Sequence, residues 1–394
     1  MIEDYLHPAD ILLPKDHIEK WAVIACDQHT SDEEYWEDVD YIVGDNPSAL
    51  RITLPEIYLK KDNSEKIRDI NATMKKYLED DVLEEHKNSM IYVERVANGK
   101  TYQGIVGCID LACYDYHIGS RSLIRSTEET IIDRLPPRIA IRKDAPIEIP
   151  HIILLIDDKD EQVIEPLADA TKELKKTYDF DLMKNGGHIT GWFLDRDAQA
   201  MVNKSLGVLK NGDDLLFVVG DGNHSLAAAK ECYEKGISSR YALVEVQNVH
   251  QKALEFESIY RVLFNVDEED FLEKFLEFTE ERGGGEEQTF EYYSKNKTGS
   301  MTVKSTAKLP IGTLQSFIDR YTNEHPEVEV DYIHGKSVVK KLASRSNTLG
   351  FIYEGLKKDD LFAAIVADGS LPRKTFSMNE ADEKRFYIES RKIK

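Results

Sequence analysis

Cysteine is scarce in this 394-residue chain. The four that occur, Cys26, Cys108, Cys113 and Cys232, have no CxxC spacing. In a chain of this size they read as reduced thiols, not as a disulfide framework. Positive charge is also in short supply, with 51 Lys and Arg against 73 Asp and Glu, a net charge of −22. A nucleic-acid partner is therefore not expected, because neutralising a phosphate backbone takes a basic face. A nucleotide pocket is not excluded, since it needs positive potential at one place only. No apolar run approaches membrane-spanning length, and the Met1 start carries no charged-then-apolar leader. The expectation is a cytoplasmic protein with no membrane partner. Repeats and low-complexity segments are absent as well.

What is present is an ordinary globular composition, 41% hydrophobic and 31% charged, in a chain too long for one comfortable core. The reading centres on residues 215–230, LLFVVGDGNHSLAAAK. Five apolar residues from Leu215 to Val219 suit a strand buried on both faces. Gly220-Asp221-Gly222-Asn223 breaks that run, and Leu226 to Lys230 supplies strong helix formers. A strand passing through a tight polar turn into a helix aims backbone N–H groups and the positive dipole end at whatever sits over the turn. Gly220 and Gly222 allow close approach, Asp221 can hold a metal, and His224 can donate to a phosphate oxygen. The plainer alternative is a capped helix start, with Asp221 or Asn223 as the cap.

Along the chain, 21–26 reads as a buried strand ending in the polar cluster Asp27-Gln28-His29-Thr30-Ser31. Open α/β sheets place ligands at such strand ends, so Asp27 and His29 are candidates. Ser31 with Glu34 matches a capping box. An amphipathic helix is expected over 64–87 and a hairpin around Asn98-Gly99. Residues 120–150 hold the densest basic stretch, with Arg121, Arg125, Arg134, Arg138, Arg142 and Lys143 around Glu128 and Glu129. Thr127 can cap a helix there, placing both carboxylates at its first turn. Either they are helix-end electrostatics, or one is a base beside a bound polyphosphate. A strand at 152–156, a helix over 163–176, a strand at 188–194 and a helix over 197–209 follow, then a strand at 241–246. This alternation predicts an α/β fold with mixed sheets. After the joint at Gly283-Gly284-Gly285 come a hairpin, two helices and a short buried strand at 362–366. Arg373 and Lys374, in the segment LPRKTFSM, can reach a phosphate or belong to a basic surface loop.

Taken together, LIRSTEETIIDR and GDGNHSLAAAK resemble the paired boxes of the ParB/sulfiredoxin superfamily. The wider pattern, including YDYHIG at 114–119 and LPRKTFSM at 371–378, is similar to the family catalogued as domain of unknown function 1015. The resemblance implies a ParB/sulfiredoxin-like core with N- and C-terminal additions. The expected regions are 1–118 (N-terminal α/β), 119–265 (nucleotide site) and 266–394 (C-terminal α+β). Within the superfamily the box pattern looks most like that of free-serine kinases. That implies Glu128 as the base on the acceptor hydroxyl. Phosphates and a Mg²⁺ would be held by Gly220, Asp221, Gly222, Asn223, His224 and Ser225, with Asp221 as the metal ligand and His224 also catalytic. Two positions depart from the pattern: Asn223 stands for a His, and Ser225 for an Arg whose charge it does not replace. Another cation must then serve, and Arg125, Arg134, Arg373 and Lys374 are the candidates.

The expected function is a Mg²⁺-dependent small-molecule kinase that moves phosphate from ATP or ADP to a hydroxyl metabolite such as free L-serine. The competing reading is a nucleotide-binding regulatory protein without metabolite kinase activity. A sulfiredoxin-like redox enzyme is a third, with Cys232 its one nearby thiol.

Overall fold

The computed structural model describes residues 4–59, 62–130, 132, 135–210, 214–379 and 383–394. The chain forms two compact units. The first comprises Met1–Ser126, Thr130–Leu254 and Asn379–Lys394; the second comprises Thr127–Glu129 and Glu255–Met378. Both are mixed α/β.

In the first unit a nine-stranded mixed sheet runs in the order Lys175–Leu182, Gly187–Phe193, Ile91–Ala97, Lys100–Asp110, Tyr241–Asn248, Ile153–Ile156, Phe217–Asp221, Ile124–Ser126, Tyr114–Asp115. The hairpin at Asn98-Gly99 forms as expected, with Asn98 at φ 51° and Gly99 at φ 74°. Strands Ile153–Ile156 and Phe217–Asp221 bury nearly every side chain, which is why they read as unbroken apolar runs. Phe217–Asp221 pairs parallel to Ile124–Ser126, with Val219 opposite Ser126. It pairs antiparallel to Ile153–Ile156, with Asp221 opposite Ile153. The C-terminal ends of two strands and the N-terminal end of a third therefore meet at Asp221.

A smaller sheet joins distant parts of the chain. Ala9–Pro14 pairs with Leu83–Ser89 on one side and with Ser390–Lys392 on the other, and Ser390–Lys392 also pairs with Ile147–Glu148. A two-stranded ribbon sets Val23 opposite Tyr387. The second unit is a six-stranded antiparallel sheet built on Phe256–Phe264, Glu287–Tyr293, Thr298–Lys304, Glu329–His334 and Thr348–Tyr353, with Phe376–Met378 added at one end. Helices Glu268–Arg282 and Pro310–Glu324 pack on it through aromatic rings, Phe271 lying 4.9 Å from Phe317 and 5.5 Å from Phe351.

Several local expectations are corrected. Residues 21–26 form not one strand but the end of a short helix, Ile18–Trp21, and a two-residue strand, Val23–Ile24. The helix expected over 64–87 stops at Glu79, and Leu83–Ser89 is a strand because it pairs with Ala9–Pro14. No helix begins at Thr127; the helix is Leu135–Lys143, starting where Pro136 and Pro137 can be accommodated in its first turn. Over 163–176 only Leu167–Ala170 is α-helical, and Lys175 already belongs to the sheet. The apolar run at 362–366 is helical, within Leu361–Asp368, where Ala363, Ala364 and Ala367 favour a helix. Asp32, not Ser31, caps helix Glu33–Val43, accepting from Tyr35 N at 3.1 Å.

Candidate functional site

The strand–turn–helix of 217–234 forms as anticipated, with helix Asn223–Glu234 following strand Phe217–Asp221 through Gly222. Gly222 is the N-cap residue, at φ 80°, and among the described residues no side chain caps the helix. The alternative in which Asp221 or Asn223 is the cap is therefore set aside. Asp221 Oδ1 accepts from the adjacent Gly222 N at 2.8 Å, and Asn223 Oδ1 accepts from Ser126 Oγ at 2.6 Å. A glycine is needed at 222 on two counts. The left-handed backbone disfavours a side chain, and a Cβ there would lie 3.1 Å from the Ile152 backbone.

Charged groups from three chain segments gather at this turn. Lys384 Nζ donates to Asp221 Oδ2 at 3.1 Å. Burial opposes the charge on Lys384, but Asp221, with Asp27 behind it, more than compensates, and its pKa is raised. His151, at the entry to strand Ile153–Ile156, sets Nε2 3.6 Å from Asp27 Oδ2 and Nδ1 3.0 Å from the Tyr387 hydroxyl. Burial pushes the imidazole toward neutrality; Asp27 and then Asp221 reverse this and raise its pKa. For Asp27 the same opposition, burial against His151 and Lys384, ends with the carboxyl well below its usual range. The result is two carboxylates interleaved with an ammonium and an imidazole.

Beside this cluster lies a cavity of about 150 Å³. Cys26, Arg138, His151, Ser225 and Tyr387 contribute its polar lining, and much of the remainder is apolar, including Leu54, Met74 and Ile141. A space of that size accepts a group on the scale of a single aromatic ring. Arg138 forms an ion pair with Glu56 at its edge.

The sequence candidates fall into distinct places. Gly220 and Asp221, expected to break the strand, are its last residues; Gly222 makes the turn, and Asn223, His224 and Ser225 open the helix, all in the first unit. Arg125 is buried in the same unit and donates from Nε to Ser122 O at 3.0 Å. Arg134 lies outside the described residues. Glu128 belongs to the second unit, where it bridges to Leu371 and accepts from Thr375 N at 3.3 Å. Arg373 and Lys374 are exposed in that unit. His29 stacks on Tyr35 with ring centroids 3.6 Å apart.

Three residues of the cluster were not singled out from sequence. Lys384 and Tyr387 sit in a charge-rich stretch with nothing local to distinguish them. His151 carried a usable signal, a lone polar residue between Pro150 and a buried strand. Among the described residues no group of three His, Cys, Asp or Glu side chains converges as a metal set. Cys232 is buried, and burial raises its thiol pKa, so it is poorly suited to sulfiredoxin-like chemistry. No described helix is long and apolar enough to cross a membrane.

No curated protein matches the sequence significantly. Among solved structures the chain is similar to a free serine kinase in complex with AMP, at 12% identity, covering 76% of this chain and 94% of that one, with a TM-score of 0.41. A mutant free serine kinase in complex with ADP gives 11% identity, 76% and 95% coverage, and a TM-score of 0.42. A conserved hypothetical protein from Pyrococcus furiosus gives 12%, 73% and 95%, and a TM-score of 0.38. The family model described as "Protein of unknown function (DUF1015)" matches residues 6–327, most of the chain, and the protein belongs to that family.

Proposed function

We propose that the protein is a nucleotide-dependent kinase of a small hydroxyl compound, with ATP or ADP as donor and free L-serine the first acceptor to test. One observation carries the reading: a helix start entered through Gly222 at φ 80°, with no side-chain cap among the described residues and with Lys384 and His151 beside it. Phosphoryl transfer asks mainly for positioning and charge neutralisation, and this turn offers both. Backbone N–H groups at the helix start would receive phosphate oxygens, and Gly222 lets them come close. Lys384 supplies a cation where Ser225 lacks one, replacing the arginine of the resembling boxes. Asp221 is the carboxylate that would hold a Mg²⁺ ion arriving with the nucleotide, since such ions need few protein carboxylates, and the ion would compete with the Lys384 ammonium for Oδ2. When bound, the metal would neutralise phosphate charge. From the resemblance, Glu128 takes the acceptor's hydroxyl proton as its oxygen bonds to the terminal phosphorus and the bond to the nucleotide breaks.

The test has two arms. Asp221→Asn should abolish Mg²⁺-dependent ATP or ADP binding in calorimetry while the protein remains folded. Glu128→Gln should keep nucleotide affinity and lose about two to four orders of magnitude in turnover, whereas Glu129→Gln should change turnover far less. Equal, small effects of the two glutamate variants would remove the kinase and leave a nucleotide-binding regulatory protein. Unchanged nucleotide affinity in Asp221→Asn would remove both readings.

A further inference from the structure

In a chain of net charge −22, the second unit gathers three cations on one aromatic ring. Arg261 lies 4.5 Å, Arg373 5.3 Å and Lys374 5.2 Å from the Tyr332 ring centroid. Among the described residues none of the three forms an ion pair. The Tyr332 hydroxyl is itself buried and makes no hydrogen bond among those residues.

This arrangement is built, not incidental. Arg261, fully buried on strand Phe256–Phe264, spends its guanidinium on backbone: Nη2 donates to Arg373 O at 2.9 Å and Nη1 to Lys374 O at 3.1 Å. Its Nε donates to Gln315 Oε1 at 2.7 Å. The 371–375 segment is held at both ends as well. Leu371 N donates to Thr127 O at 2.7 Å, Thr375 N to Glu128 Oε1 at 3.3 Å, and Thr375 Oγ1 to Pro372 O at 2.6 Å. Lys374 takes a left-handed φ of 51° within this clamp. The backbone is thus fixed so that two exposed cationic heads stand over the same ring, with a third charge buried nearby. Mutual repulsion opposes that grouping, and a shared anion would relieve it.

We propose that Arg373 and Lys374, over Tyr332 and backed by Arg261, form a cradle for an oxyanion, either a phosphate or a carboxylate of a small ligand. It stands independently of the nucleotide reading of the Gly222 turn. Glu128, whose charge acts on Arg261, belongs to the same unit.

The experiment is calorimetric titration of the full chain at low ionic strength in chloride buffer, with inorganic pyrophosphate and separately with malonate. The double variant Arg373→Gln/Lys374→Gln changes only exposed positions. It should weaken the tighter-binding anion by about tenfold or more. Asp221→Asn should leave that binding nearly unchanged while losing the Mg²⁺-nucleotide, which separates this cradle from the turn. Preference for pyrophosphate identifies a phosphate site, and preference for malonate a carboxylate site. Wild-type affinity in the double variant, no binding of either anion to the wild type, or loss of anion binding in Asp221→Asn alone would each overturn the proposal.

Discussion

His151 is subject to two opposed influences, and the balance sets a pH dependence. Burial favours the neutral ring, while Asp27 and Asp221 favour the imidazolium, and the charged form gains. A raised folded-state pKa stabilises the fold fully below the ordinary histidine value of about 6.5 and ceases to do so as pH rises through the raised value. Asp27, whose pKa is depressed, contributes above the ordinary carboxylate value of about 3.9 and is lost as pH falls through its folded value. The pair therefore stabilises most between roughly pH 4 and 6.5. Asp27→Asn should lower the His151 pKa, because burial remains while the larger of the two favourable charges is lost and only Asp221 is left. Imidazole NMR titration checks this, and an unmoved His151 pKa would show that the two side chains are not paired in solution.

Elements differ in how much of their conformation is local. The turn into helix Asn223–Glu234 depends on Gly222, at φ 80° with its missing Cβ 3.0 Å from Ile152 Cγ1. Gly222→Ala should cost roughly 1–2 kcal/mol from the left-handed backbone alone, with the Ile152 contact adding to it. Urea midpoints at constant slope measure this, and an unchanged midpoint would mean that the turn relaxes. This turn was legible in sequence because its strand, glycines and alanines are consecutive, as was the Asn98-Gly99 hairpin. Leu83–Ser89 was not, since its charged residues suit a helix and only pairing with Ala9–Pro14 makes it a strand. The run at 362–366 was ambiguous for a different reason, as a short apolar segment fits either structure. Lys384 could not be read at all. Its partner is 163 residues away, and no spacing rule spans that distance.

At the scale of the whole molecule, the first unit depends on a segment that follows the entire second unit in sequence. Arg385 is the clearest fastening. Its Nε sits 2.9 Å from Glu245 Oε2 on a central strand, its Nη2 2.7 Å from Glu389 Oε2, and all three are buried. Arg385→Ala strands two carboxylates without their counter-ion and should cost about 3–5 kcal/mol. Chemical denaturation reads this out, and a loss below about 1 kcal/mol would mean that water reaches the pair. The same layout orders events during synthesis. Residues 255–378, which with Thr127–Glu129 make up the second unit, are all synthesised while the earlier-made first unit still waits for Phe386–Tyr387 and Ser390–Lys392. Until then Val23–Ile24 and one side of Ala9–Pro14 lack these strand partners, and Asp221 lacks Lys384. A nascent chain thus lacks the ammonium beside Asp221 and the partners of its earliest strands until residues 379–394 have followed the whole second unit out of the ribosome.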